Sequence, residues 1–250
     1  MDRKSFHARV WGKVKKFTAD NELIAPGARV LVAFSSGPDS VCLAHFLSHL
    51  AGKTGFSVAL CHVNHGLREN AVKDEKFARE FAKRLGAQCV IKKAAVKSFA
   101  KKHRLSTEHA ARKLRYELLE QTARKLKCSA IATGHHLDDQ AETVMLNLIR
   151  GVKAQGLSGM PVKRPCSGGR KSPEIIRPLL CLTRAEILLY LKYNDLPFRV
   201  DESNECEDFT RNWIRKTLIP LIETKQPRFK EHLRLISDQL RELTGPKRKL

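Results

Sequence analysis

Two short runs of this chain hold residue types that could do chemistry together. Ser35 to Ser40 reads Ser-Ser-Gly-Pro-Asp-Ser, between an apolar, branched run and a helix-like one. Small residues there let the backbone approach an anion, and free amides at a helix start donate to it. Pro38 suits an early helical position, where its missing N–H costs nothing. No Gly-Lys-Ser/Thr follows, so this is not a Walker loop; the plain alternative is a tight turn. The second run, from Thr133, reads Thr-Gly-His-His-Leu-Asp-Asp-Gln-Ala-Glu-Thr. Asp139 and Glu142 are three apart, so a helix starting here gathers carboxylates on one face. Its dipole favours their ionised form. They are either ordinary capping acids or a site for Mg²⁺ or a cationic substrate.

Three further segments carry polar groups in suggestive patterns. Arg112 and Arg115 share a helix face and can converge on phosphates. His62, Asn64 and Arg68 belong to His-Val-Asn-His-Gly-Leu-Arg at a strand end, where two histidines lack the thiolate or acid company of a metal site. Late in the chain, Asp201, Ser203, Asn204, Arg211, Asn212 and Arg215 bring polar groups back.

Charge points to the partner. Lysine and arginine total 47 against 26 acids in 250 residues, a net charge of +21. The excess is spread over the chain, at Lys97–Arg104, Arg124–Lys127, Lys163–Lys171 and Lys247–Lys249 among others. Self-repulsion on that scale is relieved by a polyanion, and nucleic acid is the natural one. With three Tyr and two Trp, stacking platforms for single strands are sparse, so phosphate contact with a folded RNA fits better. Seven cysteines without a Cys-x-x-Cys read as reduced thiols of a cytoplasmic protein. No apolar run has the length of a signal peptide or membrane span.

The elements that must position these residues alternate. Phe6, Val10, Val14 and Phe17 have helical spacing, ended by Pro26-Gly27. Strands are expected at Arg29–Phe34, Ser57–Val63, Gln88–Lys93 and Ser129–Thr133, with a last one in the run from Glu174. Helices are expected over 41–51, at Ala71–Gly86, in a long run capped by Ser106 or Thr107, at about Leu137–Arg150, and from Thr183. Lys163–Pro173, basic with Gly and Pro, is expected to be a mobile loop. From Arg211 the chain should be helical, interrupted by Pro220 and Pro227, to a basic tail. This predicts an α/β fold, a doubly wound parallel sheet with a helical C-terminal extension. The expected divisions are an N-terminal helix over 1–24, a catalytic domain over 25–215 and a basic helical extension over 216–250.

The hexamer at Ser35 resembles the Ser-Gly-Gly-x-Asp-Ser loop of the PP-loop ATP-pyrophosphatases, with Ser36 in place of the first glycine. If that position needs positive φ, serine costs on the order of 1 kcal/mol. Taken with His62–Arg68, the run from Gly134, Asn147–Gly151, Gly156–Pro161 and the late polar segment, the pattern resembles the tRNA(Ile)-lysidine synthases from about Arg29 to Pro220. The resemblance implies a Rossmann-like fold of the adenine nucleotide alpha-hydrolase type. It implies that ATP adenylates the wobble cytidine of a CAU anticodon in tRNA(Ile), releasing pyrophosphate, and that the L-lysine side chain then displaces AMP. Ser35, Ser36, Gly37, Pro38, Asp39 and Ser40 would bind ATP, with His62 and Asn64 near the adenine. Asp39 would hold Mg²⁺ or orient the loop. Asp139 and Glu142 would take the lysine, while Arg112 and Arg211 would serve the α-phosphate or the flipped cytosine. Arg68, Arg115, Arg215, Lys163 and Arg164 would bind tRNA. A homodimer is an open option. The alternatives are a tRNA thiolase, which generally needs catalytic or cluster-binding cysteines, and a non-catalytic RNA-binding relative.

Overall fold

The computed structural model describes residues 2–66, 71–166, 172–199 and 209–244. Six strands form one sheet: β1 (Arg29–Ala33), β2 (Ser57–Asn64), β3 (Gln88–Lys93), β4 (Ala130–Ala132), β5 (Lys163–Pro165) and β6 (Glu174–Ile176), in the order β3-β2-β1-β4-β6-β5. Every pairing is parallel except β5 with β6. The helices are α1 (Arg3–Asp20), α2 (Pro38–Thr54), α3 (Ala71–Arg84), α4 (Val96–His103), α5 (Thr107–Lys125), α6 (Leu137–Ile149), α7 (Ala154–Leu157), α8 (Arg184–Tyr193), α9 (Phe209–Trp213), α10 (Ile219–Glu223) and α11 (Phe229–Thr244).

Both faces of the sheet are covered at its centre, which is why residues 30–32, 59–61 and 130–132 are apolar and buried. Successive side chains point to opposite faces. Val30 and Val32 join the cluster built with Phe6, Val10, Leu43, Leu47, Phe81 and Tyr190, from α1, α2, α3 and α8. Leu31, between them, joins Leu119 and Ala123 of α5 on the other face. Ala132 and Ile131 of β4 divide in the same way. The helices are capped as their sequences suggest: Ser106 accepts from the His109 N–H at the start of α5, and Thr183 from that of Glu186 at the start of α8.

Strand order reverses between β1 and β4, so the connections leaving their carboxyl ends diverge and open a crevice, the usual ligand position of such sheets. Ser35–Ser40 follows β1 and Thr133–His136 follows β4. The topology therefore brings both motifs to one place.

Two sequence expectations are corrected. Lys163–Pro165, expected within a loop, is a strand antiparallel to β6; an edge position tolerates Pro165 because it offers no donor to the ladder. Residues 167–171 of that stretch lie outside the described residues. Lys97–Arg104, read only as a charge cluster, lies largely within α4, whose Val96 packs against Ala110 of α5. Pro220 does not interrupt the late helical run but sits inside α10. Ile214–Leu218 ahead of it forms a π-turn, with the Ile219 N–H donating to the Ile214 carbonyl five residues back. That wider turn accommodates a residue that cannot donate. The run packs on α6 through Ile214, Ile219 and Leu233 against Ala141, Val144, Met145 and Leu146. The tail from 245 lies outside the described residues.

Candidate active site

The loop after β1 is bound to itself by its serines. The Ser40 hydroxyl donates to the Gly37 carbonyl at 2.8 Å and accepts from the Ser35 N–H at 3.2 Å. The Ser35 and Ser40 hydroxyls lie 3.2 Å apart. Pro38 takes the first position of α2 and Asp39 its first turn. Ser36 has φ of +70°, so the residue in place of glycine does take the left-handed conformation. Its carbonyl accepts from the Arg199 N–H at 2.9 Å.

The turn after β4 reaches this loop. A Cβ added to Gly134 would stand 3.1 Å from the Asp39 carbonyl carbon and Cβ, so glycine permits the close approach. Next comes His136, 6% exposed. Its Nε2 lies 3.8 Å from Asp39 Oδ1 and 3.5 Å from Asp139 Oδ2, and its Nδ1 3.6 Å from Asp138. Burial opposes the charged ring, but Asp138, Asp139 and Asp39 outweigh it and hold the His136 pKa above its usual value. Burial raises the Asp139 carboxyl, with His136 working against it. The Asp139 carboxylate also accepts from the His136 backbone N–H at 3.0 Å.

Glu142 is committed differently. It is 2% exposed and is held by Arg211 Nε at 3.2 Å and by Arg215 through both oxygens, at 2.6 and 2.9 Å. Of the two acids expected to take a lysine, Asp139 faces the loop, while Glu142 anchors the π-turn run to α6. Arg211 and Arg215 are thereby drawn to Glu142 rather than spread over a surface.

The remaining expected residues divide between this cleft and its margins. His62 is buried with its Nδ1 3.0 Å from the Phe34 carbonyl, and burial lowers its pKa. Asn64 donates to Glu75 and accepts from the Gly66 N–H, shaping the turn after β2. Arg112, Arg115 and Arg164 gather round Tyr116. Lys163, one strand position from Arg164, lies near Glu174 and the Glu22 carbonyl instead. Arg68, Asp201, Ser203 and Asn204 lie outside the described residues.

Sequence reading missed several partners. Arg184, in the first turn of α8, forms an ion pair and hydrogen bond with Asp39, 145 residues away in sequence. Its backbone N–H donates to Asp138 at 2.7 Å. Lys230 of α11 reaches the other Asp138 oxygen at 2.8 Å and Glu223 at 3.1 Å. No local spacing announces such long-range pairs. His136 stood inside a motif already singled out, and its two acidic neighbours at short range were the available signal.

Mg²⁺ takes oxygen ligands and commonly one or two carboxylates, with phosphates and water completing its shell. Asp39 suits that role, since its described contacts run through Oδ1 and leave Oδ2 to offer. Among the described residues, no three His, Cys, Asp or Glu side chains are grouped to cage a metal.

A mostly parallel sheet with a serine-rich loop at its reversal point is the frame of a nucleotide-binding α/β protein. Residues 7–222 match the PP-loop domain model, and the chain belongs to that family, whose members use ATP. It is 41% identical to a tRNA(Ile)-lysidine synthase of Dehalococcoides mccartyi over 88% of this chain and 47% of that one. It is 36% identical to a tRNA(Ile)-lysidine synthase of Oceanobacillus iheyensis over 92% of this chain and 48% of that one. The chain thus spans about half the length of these curated relatives. In three dimensions it resembles the U34-tRNA thiolase NcsA of Methanococcus maripaludis, with a TM-score of 0.83, 20% identity and coverage of 99% and 83% of the two chains. That likeness concerns the fold alone. No helix among the described residues is long and apolar enough to cross a membrane.

Proposed function

We propose that this chain uses ATP to join L-lysine to the wobble cytidine of the CAU anticodon of tRNA(Ile), forming lysidine. The observation that carries the reading is the meeting of two motifs in one cleft. His136 lies against both Asp39 of the anion loop and Asp139 of the acid-bearing helix. The names of the curated relatives supply the substrate class.

In the first step the cytosine carbonyl oxygen attacks the α-phosphorus of ATP, and the bond to pyrophosphate breaks. The Ser36 and Gly37 amides and the Ser35 and Ser40 hydroxyls cradle the departing pyrophosphate, and Arg184 holds Asp39 beside it. Mg²⁺, bound through Asp39, would neutralise charge on the leaving group. Arg112 is assigned to the α-phosphate or the flipped base. Adenine is assigned to the backbone at His62–Asn64. In the second step the lysine amine attacks the activated ring carbon, and AMP departs with the former carbonyl oxygen. Asp139 binds the amine and takes its proton; a carboxyl held above its usual value is the better acceptor. Glu142 supports this site by fixing Arg211 and Arg215.

The thiolase reading calls for cysteines that act on substrate. Among the described ones, Cys42, Cys61, Cys128 and Cys181 are buried, and burial pushes Cys61 up to about 11 and Cys181 up to about 12. The direct test is tRNA-dependent release of AMP and pyrophosphate from ATP, with Asp39→Ala as control. The variant should lose ATP chemistry and keep tRNA binding; unchanged turnover would refute the assigned role.

A further inference from the structure

Three guanidinium groups converge on one aromatic ring. The central carbons of Arg112, Arg115 and Arg164 lie 5.4, 5.5 and 5.6 Å from the Tyr116 ring centroid. The first two share α5 with Tyr116, and the third comes from β5 at the sheet edge. A fourth, Arg177, is 3% exposed just after β6 and donates to the Pro161 carbonyl at 2.5 Å. Burial lowers the Arg177 pKa to about 10; Tyr116 opposes the shift, while Arg164, Arg112 and Arg241 reinforce it. Arg112, Arg164 and Arg177 have no carboxylate ion pair among the described residues. The Tyr116 hydroxyl is buried and has no hydrogen-bond partner there.

Like charges held together are unfavourable unless an anion joins them, and guanidinium forks match phosphate oxygens. The cluster borders the cleft. His135, in the turn after β4, is driven to about 3 by burial and then by Arg177, Arg115 and Arg112. Arg164 stands away from the Ser35–Ser40 loop, because β4 and β6 separate β1 from β5 in the sheet. Strands spaced about 4.8 Å apart put roughly 14 Å between β1 and the strand that carries Arg164. With Arg112 given to the α-phosphate or the flipped base, Arg115, Arg164 and Arg177 are left to another phosphate.

We propose that Arg115, Arg164 and Arg177, gathered round Tyr116 beside Arg112, bind one backbone phosphodiester of the RNA whose base enters the cleft. The proposal rests on the tRNA reading above and adds Tyr116 and Arg177 to the residues that serve it. The arginines supply charge, and the Tyr116 hydroxyl donates to a phosphate oxygen as the guanidinium groups turn from its ring to the anion.

The test is the affinity of the whole chain for tRNA across a salt series, measured with CAU and with other anticodons, alongside ATP affinity and lysine transfer. Losing one phosphate contact flattens the slope of log affinity against log salt by roughly 0.7–0.9. Arg164→Ala, which takes one of several cations off a single phosphate, is expected to flatten it by up to that amount for every tRNA, and Arg164→Lys to keep the wild-type slope. Tyr116→Phe should weaken binding by roughly two- to tenfold with the slope kept. ATP affinity should stay the same in all three. An unchanged slope in Arg164→Ala would overturn the site, as would weakened ATP binding with tRNA binding intact. Lysine transfer by a chain with an unchanged slope removes the phosphate site alone. A flattened slope without lysine transfer in wild type removes the ligation and leaves the site standing.

Discussion

Arg215 grips Glu142 through both carboxylate oxygens, at 2.6 and 2.9 Å, and so ties the π-turn of the late helical run to α6 beside the candidate active site. Arg211 adds a third contact at 3.2 Å. A fully buried carboxylate with two cationic partners is costly to break, because removing it leaves charge without a counterpart.

Glu142→Ala is therefore expected to destabilise the fold by about 3 kcal/mol, at the low end for buried pairs because both arginines are partly exposed. That corresponds to a fall in Tm of roughly 6–12 °C. Thermal unfolding followed by circular dichroism measures it. Lost lysine transfer at an unchanged Tm would show Glu142 to be a substrate ligand rather than an anchor.

Ser36 pays for its left-handed backbone. With φ at +70°, Ser36→Gly should stabilise the protein by about 1 kcal/mol, offset slightly by losing a long hydroxyl contact to the Asp74 carbonyl. Ser36→Ala keeps the strain and should show no gain. Urea unfolding of the two variants separates these outcomes, and equal stability would deny the strain.

Adjacent histidines should leave opposite marks on pH dependence. His136 has its folded pKa raised above the unfolded value of 6.5. It therefore adds stability that is fully present below pH 6.5 and lost as pH rises through the folded value. His135 is depressed to about 3, so the unfolded state takes up its proton first as pH falls below 6.5. That destabilises the native state by up to about 1.4 kcal/mol per pH unit. Urea unfolding between pH 5 and 8.5 should show His135→Gln gaining relative stability on the acid side and His136→Asn losing it there. Parallel pH curves for both variants and wild type would contradict these environments.

Arg184 holds Asp39 from the start of α8. Arg184→Ala should slow ATP-dependent chemistry by about 10²-fold through misplacement of the loop acid, while tRNA affinity changes less than about twofold. Rates within a factor of a few of wild type would show that the pair does not position the loop.

Much of this architecture was legible beforehand, for identifiable reasons. Arg29–Ala33 and Ser57–Asn64 are strands with buried centres and Gln88–Lys93 a half-buried one, so short apolar runs and their flanking breakers marked them. Thr183 and Ser106 announced helix starts by cap chemistry. Motifs after the first and fourth strands located the cleft because a doubly wound sheet has one reversal point. What stayed hidden depends on distance in sequence or on tertiary packing. Arg184 meets Asp39, and Lys230 meets Asp138, through contacts with no local periodicity. Lys163–Pro165 pairs as an edge strand despite loop-like composition, because β6 offers it a partner. Glu142 matched a substrate-binding acid in type and spacing, and the close grip of Arg211 and Arg215 distinguishes it from Asp139, which Arg215 approaches only to 3.9 Å.

Labelled lysine transfer tests the central claim most directly. The chain is incubated with ATP, Mg²⁺ and labelled lysine, and with tRNA bearing either a CAU or a UAU anticodon. Lysine-dependent label should enter the CAU tRNA alone, with one AMP and one pyrophosphate formed for each lysine joined. Label in neither tRNA, or in both equally, would contradict the account.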